Sequence, residues 1–184
     1  MTPIANNTFA QDSTMSIVYR NKWLRIEKIR VRKRGKNYFL YFVAKRDIVV
    51  VLPILGRDTV ILERQYRGIF GRYLYEIPAG YIEEGEPPMH AAKRELEEET
   101  GYRAGKMRFV SKLAESPGTL KLWAHFYIAT ELKEGERALD KNEDITIIKV
   151  RLSRALQMIK EGKIVDLKTL AALSYYAQFV SRRR

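Results

Sequence analysis

Apolar runs and alternating polar and apolar positions divide most of the chain into short strands. The run IVVVLPIL, Ile48 to Leu55, is apolar throughout, which indicates a strand buried on both faces. In WLRIEKIRVRK both alternating sets are mixed, which indicates a strand with two mixed faces rather than a nucleic-acid-binding helix. Strands are predicted at residues 16–19, 23–33, 38–43, 48–55, 59–66, 107–114, 122–130 and 145–150.

Prolines and a glycine mark the ends of a helix predicted at the centre of the chain. Pro87 and Pro88 suit a first helical turn, where a missing N–H costs nothing. Gly101 suits the left-handed position that ends a helix. We therefore expect a helix from about Pro87 to Thr100.

Two more helices are predicted near the C-terminus, at residues 153–161 and 166–180. Ser153 and Asp166 are their expected N-caps, because short oxygen-bearing side chains accept bonds from the first helical N–H groups. Strands around one central helix, followed by two more helices, indicate an α+β fold.

The N-terminal residues are polar and lack the basic start and apolar stretch of a signal peptide. The apolar runs are also far shorter than the roughly 20 residues that a membrane-spanning helix needs. We expect a cytoplasmic protein without a membrane segment. The expected organisation is a flexible tail at residues 1–14, a strand-rich appendage at residues 15–45 and the main domain at residues 46–184.

Composition narrows the chemistry that the 184-residue chain can carry. It has no cysteine and two separated histidines, so a thiolate or zinc–histidine site is excluded and a metal would have oxygen ligands. The formal net charge of +12 is spread along the chain, with a denser patch at residues 25–36. Such a surface is either simply solvated or attracts phosphate-bearing partners.

Negative charge nevertheless concentrates at the C-terminal end of the predicted central helix. At about 100° per residue, Glu95, Glu98 and Glu99 fall on one helix face. Like charges at these spacings repel, and a helix C-terminus prefers cations, each effect costing a few tenths of a kcal/mol, roughly. Taken alone, this run of glutamates is explained either by a solvated acidic face or by a binding site for a hard divalent cation.

The spacing of residues before and within the predicted helix favours the cation-binding site over the solvated face. Gly80 is followed after five residues by Glu86, and after seven more by RELEEETGY, which begins at Arg94. The stretch resembles the signature of the Nudix hydrolases, which is Gly, five residues, Glu, seven residues, then Arg-Glu-apolar-any-Glu-Glu-any-Gly-apolar. Because few residue types exceed a tenth of average composition, the fixed positions match by chance at about one in ten million or less per register.

The resemblance implies a Nudix-type α/β/α sandwich with a mixed sheet, and it implies a set of metal ligands. These are the Ala79 carbonyl, Glu95 and Glu99, with Glu98 as a further ligand or as the catalytic base. The cation would be Mg²⁺, with Mn²⁺ as the alternative.

The remaining motif residues are expected to be structural. Gly80 lets backbone approach the site without a Cβ clash, so that the preceding carbonyl can point into it. By the resemblance, Glu86 and Arg94 brace the loop against the helix, while Gly101 ends the helix.

Two longer segments, ILERQYRGIFGRYLYEIPAGYIEEGE and ESPGTLKLWAHFYIA, resemble the ADP-ribose pyrophosphatase branch of the family. In that branch a proline about sixteen residues beyond the motif glycine marks the substrate loop, and Pro117 stands there. The substrate-binding residues implied are Arg67, Glu76, Pro117 and Gly118. The plainer interpretations are a surface salt bridge for Arg67 and an ordinary turn at Ser-Pro-Gly.

The sequence departs from the branch pattern in two places. Lys121 and Leu122 stand where relatives often have acidic residues after Ser-Pro-Gly. A loop at residues 138–147 would supply Glu143 as the base, but Lys141 occupies a position that is glutamate in some relatives. The base is therefore Glu143 or, failing that, Glu98.

The expected activity is Mg²⁺-dependent hydrolysis of ADP-ribose to AMP and ribose 5-phosphate. The resemblance also implies a homodimer in which the N-terminal strands are exchanged or packed between subunits and help to form each pocket. One alternative is a pyrophosphatase for a nucleotide sugar such as GDP-mannose. The other is a catalytically silent module that binds RNA or DNA through its basic strands, which intact metal glutamates argue against.

Overall fold

A computed structural model of the protein describes residues 10–139 and 144–181, with side chains from residue 15 onward. Within these residues the chain forms eleven strands and three helices. The strands are β1 Ala10–Arg20, β2 Arg25–Lys33, β3 Lys36–Ala44, β4 Ile48–Leu55, β5 Thr59–Arg67, β6 Arg72–Glu76, β7 Ala79–Tyr81, β8 Tyr102–Ala114, β9 Leu120–Lys121, β10 Trp123–Glu134 and β11 Ile145–Arg151. The helices are α1 Pro88–Thr100, α2 Leu152–Lys160 and α3 Leu167–Phe179.

The larger of two compact units contains residues 47–113 together with the described residues from 123 onward. Its central sheet has the order β11-β5-β4-β10-β8, with β6 added beside β5 and β7 beside β4. Strand β4 pairs in parallel with β10 but antiparallel with β5 and β7. The sheet is therefore mixed, as the sequence predicts.

Helices cover both faces of this sheet, because alternate residues of a strand point to opposite sides. On β10, Tyr127 and Ala129 belong to the apolar cluster that α1 forms with the sheet. The intervening residue Phe126 instead packs edge-on against Tyr175 of α3, with ring centroids 5.9 Å apart. The arrangement confirms the predicted α/β/α sandwich.

Local chemistry sets most of the helix ends. Gly101 ends α1 in the left-handed conformation, with φ 74° and ψ 22°. Asp166 caps α3 by accepting a 2.9 Å hydrogen bond from the Thr169 N–H. The N-cap predicted at Ser153 is wrong, because α2 begins one residue earlier and the main chain of Arg151 is the cap.

The smaller unit consists of the described residues up to Arg46 together with Ala114–Leu122. It forms a separate four-stranded sheet with the order β1-β2-β3-β9. Strand β1 begins at Ala10, within the segment predicted as a tail, because its backbone pairs with β2 up to Arg32. Residues 114–122 also join this unit, whereas the sequence assigned them to the main domain.

The strands that the sequence analysis missed are β6, β7 and β9, which are short. Pairing explains all three, since β6 returns along β5 in a hairpin, β7 lies against β4 and β9 pairs with β3. None of the helices in the described part of the chain is long and apolar enough to cross a membrane.

Candidate active site

Helix α1 lies close to the sheet because its buried side is built from small residues. Ala91, Ala92 and Leu96 are fully buried against Val49 and Val51 of β4. Alanine side chains let the helix backbone approach the strand closely. The face next to the buried one then borders β7, and it carries the glutamates predicted from the sequence.

Helix α1 and strand β7 come very close together at Gly80. A Cβ placed on Gly80 would lie 2.1 Å from the carboxylate carbon of Glu95, far inside van der Waals contact. Gly80 is therefore required by space rather than by backbone conformation, since its φ lies outside the left-handed range.

A buried carboxylate joins the same two elements. Glu99 is only 5% exposed, and its Oε2 accepts a 2.9 Å hydrogen bond from the Ala79 N–H. Ala79 belongs to β7, which is itself paired with β4. The helix end and the strand that precedes the motif loop are thus fixed to each other through main-chain and carboxylate groups.

One guanidinium, that of Arg94, links the loop to the glutamate face. Its Nε and Nη2 donate to the two oxygens of Glu86 at 3.0 and 2.9 Å, and Nη2 also donates to the Tyr81 carbonyl at 3.0 Å. Its Nη1 donates to Glu95 at 2.8 Å and to Glu98 at 3.0 Å. Hydrogen bonds to Glu86, and then the nearby Glu95 charge, raise the pKa of Arg94.

The same contacts act on the partner carboxyl. Arg94 holds the pKa of Glu86 below its usual range, because the ion pair favours the carboxylate. In this bidentate geometry the guanidinium presents two parallel N–H groups to one carboxylate, which a lysine ammonium cannot do. The loop is thereby attached to α1 by a pair in which both groups are charged.

The cluster keeps a surplus of negative charge. Arg94 contacts three carboxylates, those of Glu86, Glu95 and Glu98, which leaves two formal negative charges, and the Glu99 carboxylate on the same helix adds a third. Carboxylate oxygens at this density are the donors that a hard divalent cation prefers, so the residue set fits such an ion. Across residues 10–139 and 144–181, no three acidic or histidine side chains already converge on one ion position. Binding would require Glu95 and Glu98 to turn from Arg94 toward the ion.

A second ion pair extends the site from β5 and β6. Arg67 donates from Nε to one oxygen of Glu76 at 2.6 Å and from Nη2 to the other at 2.8 Å. The hydrogen bonds to Glu76 raise the pKa of Arg67, and the Glu99 charge adds to this. Arg67 and Glu76 are therefore brought together, with Lys168 of α3 3.9 Å from Glu76.

Three predicted site residues are not among the described residues of the larger unit. Pro117 and Gly118 lie in the smaller unit, in a tight turn where the N–H of Thr119 donates to the Ser116 carbonyl at 3.0 Å. Glu143, the predicted base, lies outside the described residues. Substrate contact by Pro117 and Gly118 and catalysis by Glu143 stay predictions.

Sequence reasoning missed Arg137, which supports the end of α1. Its guanidinium donates to the Glu99 carbonyl at 2.7 Å and to the Ile145 carbonyl at 2.6 Å. The Ala138 N–H also donates to the Glu98 carbonyl at 3.1 Å. These bonds satisfy carbonyls left open at a helix end, where a positive charge is favourable. No signal in the sequence pairs Arg137 with a helix that ends at Thr100, far earlier in the chain.

Comparison with known proteins agrees with this geometry. The NUDIX domain model matches residues 44–173. A methanol dehydrogenase activator from Bacillus methanolicus is 40% identical over 140 residues, which cover 72% of this chain and 76% of the relative. An ADP-ribose pyrophosphatase from Bacillus subtilis (strain 168) is 37% identical with the same coverage of each chain.

A GDP-mannose pyrophosphatase from Escherichia coli O1:K1 / APEC is 37% identical over 136 residues, or 68% of this chain and 70% of that one. Among solved structures, an ADP compounds hydrolase superposes with a TM-score of 0.83 over 95% of both chains, at 21% identity. The structural likeness confirms the fold.

The contact at Gly80 generates a prediction. In Gly80→Ala the new methyl group should displace the Glu95 carboxylate, which is the flexible end of a side chain, so folding should be little affected. Affinity for Mg²⁺ or Mn²⁺, measured by titration calorimetry, should fall by about tenfold or more, since displaced ligand geometry typically costs this much. Gly68→Ala is the matched control, because nothing lies within 4 Å of a Cβ there. Wild-type cation affinity in Gly80→Ala would contradict the assignment of Glu95.

Proposed function

The chain belongs to the Nudix family, and we propose that it is a pyrophosphatase that hydrolyses ADP-ribose to AMP and ribose 5-phosphate. The observation that carries the proposal is the glutamate face of α1, on which Glu95 and Glu98 accept from Arg94, Glu95 lies against Gly80 and Glu99 accepts from the Ala79 N–H. Similarity to the ADP-ribose pyrophosphatase of Bacillus subtilis supports the choice of substrate. We expect this activity in the cytoplasm, as the sequence predicts.

The cation that we propose is Mg²⁺, with Mn²⁺ as the alternative. Glu95, Glu98, Glu99 and the Ala79 carbonyl would hold it. When bound, the ion would neutralise negative charge on the diphosphate and lower the pKa of a water molecule.

The chain's own residues then bind and orient the substrate. Arg67 uses two N–H groups on Glu76, and a guanidinium has five, so it can donate to a diphosphate oxygen while Glu76 fixes its direction. We propose Glu143 as the base that takes the proton from the attacking water, with Glu98 as the alternative. In-line attack on phosphorus needs mainly positioning and charge neutralisation from the protein.

The rival substrate class is a nucleotide sugar. The glutamate cluster addresses the diphosphate and does not distinguish the base or the sugar, and the similarity to a GDP-mannose pyrophosphatase favours this alternative specifically. A catalytically silent nucleic-acid module is the third possibility. Steep salt dependence of RNA or DNA affinity, without hydrolysis, would identify it.

A substrate panel tests the proposed function. The protein is incubated with Mg²⁺ and ADP-ribose, GDP-mannose or another nucleotide sugar, and the products are separated chromatographically. ADP-ribose should give the highest kcat/KM, with AMP and ribose 5-phosphate in equal amounts. Faster turnover of GDP-mannose would make a nucleotide sugar the substrate instead of ADP-ribose. If no compound of the panel is hydrolysed, the proposed pyrophosphatase activity is rejected.

The carboxylate cluster predicts the effect of Glu99→Gln. Glutamine keeps the volume and an oxygen that accepts from the Ala79 N–H, so the fold should persist. Loss of one negative charge should leave the melting temperature of the metal-free protein equal or slightly higher, because repulsion in the cluster falls. Activity should be mostly lost. Wild-type turnover at saturating Mg²⁺ would refute the ligand role.

Kinetics of three variants test the base. If Glu143 is the base, Glu143→Gln should lower kcat by about a hundredfold or more with KM nearly unchanged. If Glu98 is the base, Glu98→Gln should carry that loss and Glu143→Gln should act weakly. Lys141→Ala tests a phosphate-binding role and should then raise KM. A Glu143→Gln enzyme within about threefold of wild type would exclude Glu143, since base removal typically costs far more.

We also propose a homodimer formed through the strands of the smaller unit. Consecutive residues of β3, from Tyr38 to Tyr41, are all exposed, so both faces of that strand present apolar side chains. Trp23, at the turn before β2, is 70% exposed. A small sheet rarely leaves both faces in water, and exposed apolar patches of this kind favour a second copy of the chain.

The dimer can be tested by light scattering. Wild-type protein at micromolar concentration should give twice the monomer mass, and the Phe39→Glu/Leu40→Glu variant should dissociate, because adjacent strand residues point to opposite sides and the variant places charge on both faces of β3. Val165→Glu, at an exposed apolar position of the larger unit, is the control and should stay dimeric. A wild-type monomer with full activity would overturn the proposal.

A further inference from the structure

A small pocket lies on the face of the central sheet opposite α1. Met107 of β8 packs into the apolar cluster beneath α1, so its neighbours on the strand point to the other side. The pocket there has a volume of about 90 Å³. It is lined by Lys106, Arg108, Ile128, Thr130, Tyr176 and Val180.

The pocket contains a buried hydroxyl that lacks a hydrogen-bond partner. Tyr176 of α3 is 1% exposed, and its phenolic oxygen has no partner among the described residues. Leaving such a group unsatisfied costs about 1–3 kcal/mol. A bound group that accepts a hydrogen bond from Tyr176 would remove this cost.

Two cationic residues line the same pocket as Tyr176. Lys106 and Arg108 are both exposed and occupy alternate positions of β8, so they share one side of the strand. Within residues 10–139 and 144–181, neither forms an ion pair with a carboxylate. Their partner must therefore be solvent or an anion.

The hydrogen-bond donors that line the pocket indicate which class of ligand it can bind. An ammonium, a guanidinium and the hydroxyls of Thr130 and Tyr176 are all hydrogen-bond donors, and this combination suits an oxyanion with several acceptor oxygens. The apolar side chains of Ile128 and Val180 complete the lining of the pocket. The volume suits a single phosphoryl group, since pockets for whole drug-sized ligands run to about 300 Å³ or more.

We propose that this pocket binds a phosphoryl dianion, at a site separated from the glutamate cluster by the sheet. The ligand is inorganic phosphate or the phosphate of a monoester. If the proposed hydrolysis of ADP-ribose is correct, both products carry such a group, so the pocket would sense product. Binding itself does not depend on that activity.

Titration calorimetry on metal-free protein at constant ionic strength tests the site, with sodium phosphate as the probe. Tyr176→Phe should weaken phosphate binding by about two- to tenfold, the value of one hydrogen bond. Lys106→Gln/Arg108→Gln should weaken it by at least about tenfold, because hydrogen bonds to charged groups are stronger. The control is Arg151→Gln/Lys160→Gln, which removes the same charge at the opposite edge of the sheet and should bind like wild type.

A second measurement separates a ligand contact from a structural role. Without phosphate, the melting temperature of Tyr176→Phe should equal or exceed that of wild type, because the unsatisfied hydroxyl is gone. With phosphate, wild type should gain more than the variant, which corrects for the general stabilisation by this salt. Lower stability of Tyr176→Phe without phosphate would show that the hydroxyl already has a partner and would count against the site.

Comparing ligands identifies the source of the phosphoryl group. Inorganic phosphate, AMP and ribose 5-phosphate are titrated beside adenosine and ribose, which lack phosphate. Tighter binding of the monoesters assigns the site to them, and tighter binding of phosphate assigns it to the free ion. The proposal is overturned if wild type binds no phosphate compound, or if the pocket variants and the control bind equally.

Discussion

The glutamate cluster depends on the ion pairs and hydrogen bonds made by the Arg94 guanidinium. Carboxylates one turn apart at a helix C-terminus repel one another and oppose the helix dipole. Arg94 places one positive charge among Glu86, Glu95 and Glu98 through five hydrogen bonds, one of them to the Tyr81 carbonyl. The Arg94 guanidinium therefore joins the loop to the helix and also reduces the repulsion within the acidic face. A cation added to this face relieves the remaining repulsion, so affinity for the ion and stability of the cluster are linked.

Close approach is the second condition for the site. Small side chains at Ala91 and Ala92 bring α1 onto β4, and the missing side chain at Gly80 lets Glu95 lie against β7. Enlarging either side would displace these carboxylates. The sequence motif thus encodes close approach as well as charge.

The features of the fold and the site that could be predicted from the sequence are those set by neighbouring residues in the chain. Gly101 and Asp166 act through their own backbone or their nearest neighbours, so the sequence identified the end of α1 and the cap of α3. The motif spacing likewise identified the glutamates. Strands β6 and β7 and the role of Arg137 depend on partners that folding brings from elsewhere. The cap at Arg151 was missed because the helix follows directly from a strand, without a side-chain signal.

The alternation of strand β10 resolves the contrast between a basic chain and an acidic site. Tyr127 and Ala129 face α1, whereas Ile128 and Thr130 face the pocket that contains Lys106. One face of the strand thus borders a pocket that carries Lys106 and Arg108, and the other lies beneath the helix that carries the glutamates. Because salt screens exposed charges over about 8–10 Å, cations on the far side neutralise the cluster only weakly. The acidic face can therefore attract a divalent cation although the whole chain carries a net charge of +12.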